Sequence, residues 1–187
     1  RDSQGVCAVA SADAVSRELP EPSVGETLVV LAQGRDPGNV GTIIRTADAF
    51  GAVGVITVSG TVEATSPKVV RASAGSVFHI PVCVVSSFEE AHALIHRRSA
   101  ALLGTSGGAG SLDLSQMLAQ GVSGRSRLSQ SHAWVFGNEA KGLSGAEMRL
   151  CDALVSIPMT GDAESLNVAS AATACLFASQ TVRGVEN

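Results

Sequence analysis

The chain has 187 residues, of which 45% are hydrophobic and 16% are charged, and its formal net charge is −4. This composition excludes a disordered chain, and no apolar run approaches the length of a membrane span. The net negative charge also excludes a protein that binds nucleic acid over its whole surface, so any such contact must be local.

From Thr27 onward, apolar runs alternate with amphipathic stretches, which is the pattern of repeated βα units. The runs are apolar on both faces, which indicates a parallel sheet covered by helices. Strands are predicted at 28–32, 53–58, 82–85, 101–104, 133–136 and 153–157. Helices are predicted at 40–50, 67–74, 88–98, 145–151 and 166–182. Residues 1–24, interrupted by two prolines, are interpreted as the tail of a preceding region, and residues 25–187 as one domain.

Between Thr105 and Ser131 the composition shifts to glycine and serine, which predicts a long loop around the short apolar piece 112–118. The four cysteines are scattered without a C-x-x-C pair, so a zinc or redox motif is not indicated. His92 and His96 lie four residues apart but lack the carboxylate of H-E-x-x-H. We therefore predict no metal site.

Three short segments place glycine and polar side chains at predicted junctions between a strand and a helix. They are Asn39-Val40-Gly41-Thr42-Ile43-Ile44-Arg45-Thr46-Ala47, Phe136-Gly137-Asn138-Glu139-Ala140-Lys141-Gly142 and Ile157-Pro158-Met159-Thr160-Gly161-Asp162-Ala163-Glu164-Ser165-Leu166-Asn167. The carboxyl ends of parallel strands meet at one edge of a sheet, so we expect these segments to converge on one crevice.

Each segment also has an ordinary structural explanation. Asn39 and Ser165 are both suited to cap a helix, and Arg45 taken alone is typical of a solvated surface residue. The glycine spacing of residues 137–142 lacks the acid that follows in a dinucleotide fingerprint, and its lysine is not followed by Ser or Thr as in a phosphate loop. The individual residues therefore leave the ligand open.

The ordered combination N-x-G-x-x-x-R-T-A, F-G-N-E-x-x-G and I-P-M-x-G-x-x-x-S-L-N-V closely resembles the SpoU/TrmH group of the SPOUT methyltransferases. The resemblance extends from about Val24 to the C-terminus. It implies an α/β fold with a mostly parallel six-stranded sheet, helices on both faces and a C-terminal trefoil knot. It also implies a homodimer that transfers a methyl group from S-adenosyl-L-methionine to a ribose 2′-hydroxyl of RNA. Members commonly carry an N-terminal RNA-binding domain, and residues 1–24 are interpreted as a linker or the tail of such a domain.

The matching motif positions imply the site residues. Arg45 is expected to face the ribose and to stabilise the developing alkoxide, because an arginine rarely loses its proton. The other catalytic candidates, expected to orient the substrate or the arginine, are Asn39, Glu139, Ser165 and Asn167. The candidates for binding the cofactor are Thr105, Gly137, Asn138, Ile157, Met159, Ser165, Leu166 and Asn167.

These motifs supply the chemistry rather than the recognition of a particular RNA. We favour 23S ribosomal RNA, because an upstream domain is typical of relatives that act there, and a tRNA 2′-O-methyltransferase is the alternative enzyme. A noncatalytic RNA-binding module of the same fold is the alternative from another class, and the intact candidate residues argue against it. The first twenty residues lack the pattern of a signal peptide, so the chain is expected in the cytoplasm without membrane contact.

Overall fold

The computed structural model describes residues 8–15, 17–108, 110–121 and 126–185. Within these ranges the strands are β1 Thr27–Leu31, β2 Gly54–Val58, β3 Val82–Val85, β4 Ala101–Thr105, β5 Leu112–Asp113, β6 His132–Phe136 and β7 Ala153–Ser156. The α-helices are α1 Pro37–Ala49, α2 Pro67–Ala72, α3 Phe88–Arg97, α4 Leu114–Gly121, α5 Gly145–Leu150 and α6 Val168–Val185.

The strands form one sheet in the spatial order β3-β2-β1-β6-β4-β7-β5, and each neighbouring pair is parallel. Side chains of α1, α2, α4 and α6 build a core on one face of the sheet, where they surround Trp134. Side chains of α3 and α5 build a second core on the other face, around Leu102 and Ile95. The predicted parallel sheet with helices on both faces is therefore confirmed.

The predicted loop between Thr105 and Ser131 is wrong in part, because it contains β5 and α4. Helix α4 buries Leu114, Met117 and Gly121, and this spacing of three and four residues is a helical period. Strand β5 has only two residues, which is too short to produce an alternating pattern in the sequence. The sheet consequently has seven strands in the described residues rather than the predicted six, and the trefoil knot stays a prediction.

A buried ion pair holds the segment before β1 against the domain. The guanidinium of Arg98 contacts the Glu26 carboxylate at 2.6 Å and 2.8 Å, and it also donates to the carbonyl of Pro20 at 2.8 Å. Residues 17–24 are thus anchored to the domain by hydrogen bonds. Residues 1–7 lie outside the described ranges, so the interpretation of 1–24 as a linker or tail stays a prediction. In the part of the chain that the structure covers, no helix combines the length and the apolar character that a membrane crossing needs.

His132 in β6 is a buried, neutral imidazole. Its Nδ1 lies 2.7 Å from the Gln130 carbonyl oxygen, and its Nε2 lies 2.7 Å from the Ser179 hydroxyl, which also accepts the indole N–H of Trp134 at 2.8 Å. Burial lowers the pKa of His132 to about 4, even though the Gln130 carbonyl favours the protonated ring. The folded protein therefore resists protonation at this position.

Mild acid is expected to destabilise the fold through His132. An unfolded chain binds a proton at a histidine pKa near 6.5, so the free energy of unfolding should fall, by up to about 3 kcal/mol, as the pH drops from that value toward the folded pKa. Urea unfolding measured from pH 8 to pH 4 tests this. His132→Gln should flatten the dependence and His79→Gln, which removes an exposed imidazole, should keep it. An unchanged slope in His132→Gln would contradict the assignment.

Candidate active site

The carboxyl ends of β1, β6, β4 and β7 lie side by side at one edge of the sheet, because these strands are consecutive neighbours that run in the same direction. The loops after β6 and β7 carry two of the polar segments singled out in the sequence, and the third, residues 39–47, lies in α1 after the loop that follows β1. Residues 32–36 lead into α1, residues 137–144 into α5 and residues 157–167 into α6. The beginnings of these segments lie at this edge, but they line two adjoining concavities rather than the predicted single crevice, and the first segment contributes only Asn39 to them.

The first concavity, here called the strand-end cavity, has a volume of about 450 Å³ and lies between the loops after β4, β6 and β7. Buried or half-buried apolar side chains of Leu143, Met148 and Val155 contribute to its lining. Seven of the eight candidates for cofactor binding also line it, namely Thr105, Gly137, Asn138, Ile157, Met159, Ser165 and Leu166. The tertiary structure thus brings together residues that lie up to 61 positions apart in the chain, from Thr105 to Leu166.

The second concavity, here called the polar groove, has a volume of about 800 Å³. Three of the catalytic candidates, Asn39, Glu139 and Asn167, lie in it, whereas Ser165 lies in the strand-end cavity. Residues 138–141 contribute to both concavities, so a ligand in one would lie next to a ligand in the other. The full lining of the groove is Gln33, Arg35, Asp36, Asn39, Asn138, Glu139, Ala140, Lys141 and Asn167.

Glu139 joins the loop after β6 to the start of α1. Its carboxylate accepts the backbone N–H of Arg35 at 3.2 Å and that of Asp36 at 3.0 Å. Partial burial by itself raises the pKa of Glu139, but these donors and the Asn39 side chain outweigh that effect and hold the pKa below its usual value. The carboxylate is therefore ionised at neutral pH and fixes the segment that enters α1.

Replacing Glu139 by Gln should loosen this connection. Gln lacks the negative charge that strengthens the hydrogen bonds from the N–H groups of Arg35 and Asp36, so we expect the free energy of unfolding to fall by about 1 kcal/mol. In the parent, the ionised Glu139 carboxylate contributes this free energy at pH values above the unfolded glutamate pKa of about 4.3. The contribution is lost as the pH falls through the lower pKa of Glu139 in the folded protein. Urea unfolding measures it. Glu63→Gln, at another exposed carboxylate, is the matched control, and an equal loss in both variants would contradict the role of Glu139.

Asn39 and Asn167 connect the beginnings of two helices. The side-chain N–H of Asn167 donates to Oδ1 of Asn39 at 3.0 Å, and Oδ1 of Asn167 accepts the backbone N–H of Ala169 at 2.8 Å. Helix α6 begins at Val168, so the predicted start at 166 and the predicted cap Ser165 are wrong. The Asn167 side chain satisfies the free N–H groups instead, which leaves Ser165 exposed in the lining of the strand-end cavity.

The cap of α1 also differs from the prediction. Asp36 is the N-cap, with Oδ1 accepting the backbone N–H of Asn39 at 2.8 Å, and Pro37 is the first helical residue. Asn39 therefore lies in the first turn of α1, with its side chain free to contact Asn167 in the groove. The Asp-Pro pair is a known signal for a helix start, and it was available in the sequence.

The loop after β6 is closed on itself by its own backbone. Asn138 and Gly142 exchange N–H to carbonyl hydrogen bonds of 3.1 Å and 2.8 Å, and the Asn138 side chain accepts the N–H of Ala140 at 3.0 Å. A Cβ on Gly137 would lie 2.5 Å from the carbonyl oxygen of Gly142 and 2.5 Å from the backbone nitrogen of Leu143. Only glycine fits at this position, which sets the shape of the wall that both concavities share.

Arg45 lies on the exposed side of α1 and lines neither the strand-end cavity nor the polar groove. It lies six positions after Asn39, which places it about 9 Å further along the helix axis and on a different helix face. The glycine of this segment, Gly41, serves helix packing, because a Cβ there would lie 2.7 Å from the carbonyl oxygen of Val69 in α2. A single chain therefore does not bring Arg45 to the cavity.

Gln33, Arg35 and Asp36 line the polar groove, although the sequence reasoning did not single them out as site residues. They lie in the loop before the first motif, and a loop has no periodic pattern from which a functional side chain could be recognised. The described residues contain no group of three or more His, Cys, Asp or Glu side chains that could hold a metal ion.

The chain is similar to two named 23S ribosomal RNA methyltransferases. The 23S rRNA (uridine(2479)-2'-O)-methyltransferase of Streptomyces viridochromogenes is 42% identical over 146 residues, which cover 75% of this chain and 47% of that protein. The 23S rRNA (guanosine-2'-O-)-methyltransferase RlmB of Bordetella pertussis is 33% identical over 180 residues, which cover 94% of this chain and 69% of that protein. The chain thus spans about half the length of the first relative and about two thirds of the second.

The fold agrees with a solved structure of the same kind. The SpoU methyltransferase AviRb from Streptomyces viridochromogenes, in complex with the cofactor AdoMet, matches with a TM-score of 0.73 and 35% sequence identity, covering 93% of this chain and 64% of that one. Residues 26–177 match the SpoU rRNA Methylase family. With the three motifs at the strand ends and this match over most of its length, the chain belongs to the SpoU rRNA methylase family.

Proposed function

We propose that this chain transfers a methyl group from S-adenosyl-L-methionine to a ribose 2′-hydroxyl of RNA, with 23S ribosomal RNA as the substrate. The observation that carries the proposal is the strand-end cavity, which seven of the eight cofactor candidates line, beside a groove that holds three of the catalytic candidates. Both similar proteins are named as 23S rRNA 2′-O-methyltransferases, and the similar solved structure contains AdoMet.

The strand-end cavity suits this cofactor in size and in lining. Its volume of about 450 Å³ lies within the range of small-molecule sites. Ile157, Met159 and Leu166 would cover the adenine ring with apolar side chains, and Gly137 would leave backbone groups accessible. The hydroxyl hydrogen of Thr105 is donated to the Val135 carbonyl at 2.9 Å, so this oxygen faces a ligand as an acceptor. When bound, the cofactor supplies an electrophilic methyl group on a positively charged sulfur.

The polar groove suits a nucleotide. Its amide side chains include Asn39 and Asn167, which are held against each other and so present fixed donors and acceptors to a ribose or a base. Glu139 holds the loop that carries this arrangement. Ser165, on the cavity side, would contact the reacting sugar or the cofactor. Together these residues position the 2′-hydroxyl, which is the contribution that a methyl transfer in line with its donor needs.

We further propose a homodimer in which Arg45 of a second copy completes the site. Arg45 lines neither concavity of its own chain, and it lies on the helix that ends beside Phe50. The rings of Phe50 and Phe177 meet edge to face at 6.0 Å between centroids, and Phe177 is 51% exposed. An exposed aromatic side chain beside the packed pair α1 and α6 supports a second copy covering this side. In that position the guanidinium would stabilise the negative charge that develops on the ribose oxygen.

Incubating the chain with tritiated S-adenosyl-L-methionine and separate pools of ribosomal RNA and tRNA tests the proposal. We expect label in 23S rRNA, recovered after alkaline hydrolysis in dinucleotides, because a 2′-O-methyl group blocks cleavage at its own phosphate. Label confined to tRNA would overturn the assigned substrate, and label recovered in mononucleotides would overturn the assigned atom. Cofactor binding by calorimetry without transfer to any RNA would favour the noncatalytic alternative. An enzyme of ribosomal RNA works where ribosomes are, so a cytoplasmic location is part of the proposal.

A further inference from the structure

Two basic side chains of the polar groove lack an ionic partner among the described residues. Arg35 lies in the loop between β1 and α1, Lys141 lies in the loop between β6 and α5, and both are exposed. The ion pairs that the described residues form are elsewhere and join His79 to Asp48, His96 to Asp152 and Arg98 to Glu26. Both cations are therefore available to a ligand.

The two carboxylates of the groove are engaged with the backbone. Glu139 accepts the N–H groups of Arg35 and Asp36, and Asp36 accepts the N–H of Asn39 at 2.8 Å. Each carboxylate thus faces the partial positive charge of peptide groups at the start of α1. The formal charges of the four ionisable side chains of the groove sum to zero, and Arg35 and Lys141 are the two whose charged groups face no ionic partner among the described residues.

The backbone of both cations is held in place. The N–H of Arg35 is bound by Glu139, and the N–H of Lys141 donates to the side-chain oxygen of Asn138 at 3.2 Å. The two loops follow β1 and β6, which are neighbours in register with Leu31 opposite Phe136 and lie about 4.8 Å apart. Because these loops are already ordered, a ligand that binds between them causes little loss of backbone entropy. More of the contact energy therefore contributes to affinity.

We propose that Arg35 and Lys141 each bind a phosphate of the RNA strand next to the target nucleotide, and thereby place its ribose at the mouth of the strand-end cavity. This inference rests on the proposed function and names the residues that hold its substrate. Arginine and lysine are the side chains that bind phosphate, and phosphate contacts set the register of a nucleic acid. A chain with a net charge of −4 needs such local contacts to hold a polyanion.

The salt dependence of RNA binding tests the assignment. Binding of a labelled single-stranded oligouridylate is measured over a series of KCl concentrations for the parent, Arg35→Gln, Lys141→Gln and the double variant. The slope of log K against log salt should fall in magnitude by about 0.7 for each single variant and by about 1.4 for the double variant, because each lost phosphate contact removes that much counterion release. Arg97→Gln, which removes an exposed cation of α3, should leave the slope unchanged.

A loss of affinity without a change of slope would overturn the assignment, because a merely structural role does not alter counterion release. Absence of measurable oligouridylate binding by the parent chain would overturn it as well. Lys141 also lines the strand-end cavity, so affinity for S-adenosylmethionine is measured by calorimetry in every variant. A loss of cofactor affinity that matches the loss of RNA affinity would show that the pair binds the carboxylate of the cofactor instead.

Kinetics separate this inference from the proposed function. In the double variant the KM for ribosomal RNA should rise by at least about tenfold, whereas kcat at saturating RNA should stay within about twofold, because neither side chain is assigned to the reacting atoms. A fall in kcat with an unchanged KM would overturn the assignment. If the oligouridylate slopes change as expected but the parent methylates no RNA, the phosphate contacts stand and the proposed function fails.

Discussion

A chain with Lys in place of Arg45 should bind S-adenosylmethionine as the parent does and transfer methyl groups about 10² to 10³ times more slowly. Lys retains the positive charge but loses the planar fork of donors, so it does not reproduce a two-point contact to the ribose oxygen and a neighbouring phosphate. The guanidinium is assigned to the ribose oxygen rather than to the cofactor, which is why cofactor affinity should stay unchanged.

Calorimetry with the cofactor and single-turnover transfer to ribosomal RNA measure the two quantities separately. Arg97→Lys, at an exposed arginine of α3, is the matched control and should retain the parent rate. Equal turnover in Arg45→Lys would contradict the assigned role, and so would a parallel loss of cofactor affinity.

Mixing two inactive variants shows which copy of the chain supplies Arg45 to a site. Arg45→Ala keeps an intact cavity, and a variant with a damaged cavity keeps an intact Arg45. If Arg45 acts across the dimer, mixing the two inactive variants should recover up to about a quarter of the parent activity, because half of the dimers are mixed and each contains one complete site. Recovery of no activity from a mixture shown to contain mixed dimers would contradict the two-copy site.

The Gly137→Ala variant should lose affinity for S-adenosylmethionine by about 100-fold or more, close to 3 kcal/mol. The added Cβ would lie 2.5 Å from the carbonyl oxygen of Gly142 and 2.5 Å from the backbone nitrogen of Leu143, and backbone atoms move only if the whole loop shifts. Opening the loop breaks the reciprocal hydrogen bonds between Asn138 and Gly142 and deforms the wall that both concavities share.

Calorimetry of cofactor binding measures this loss, and urea unfolding shows whether the variant remains folded. Gly145→Ala is the matched control, because a Cβ there would meet only the end of the Arg149 side chain at 3.5 Å. If Gly137→Ala bound the cofactor with the parent's affinity while folded, the loop after β6 would not shape the cofactor site. The folded variant is also the cavity-damaged partner for the mixed-dimer experiment.

Elements with a strong repeating pattern were predictable within one or two residues. Strand β3 and the start of α3 lie where the apolar runs place them. The misplaced starts of α1 and α6 have one cause, since several residues near each start are able to cap a helix. The side chain that reaches the free N–H groups is selected by the surrounding loop, and for α6 it is Asn167 rather than Ser165.

The candidate residues for the cofactor are those that the resemblance to the SpoU/TrmH group implies, and the parallel sheet explains why the segments that carry most of them lie at one edge. The hydrogen bonds between the Glu139 carboxylate and the backbone of Arg35 and Asp36 could not be predicted in this way. A carboxylate from one loop that binds the backbone of another leaves no pattern along the chain.

By itself, the sequence determined the alternating βα architecture, the edge of the sheet at which the motifs meet and the family to which the chain belongs. The architecture and the edge follow from local periodicity and from residue types at strand ends, whereas the family follows from the resemblance of the three ordered motifs. Sequence patterns left open that the motifs line two concavities, the strand-end cavity and the polar groove, and that Arg45 lines neither. The physical reason is that such distinctions depend on which loops are neighbours in space, and a contact between residues more than one hundred positions apart has no local signature.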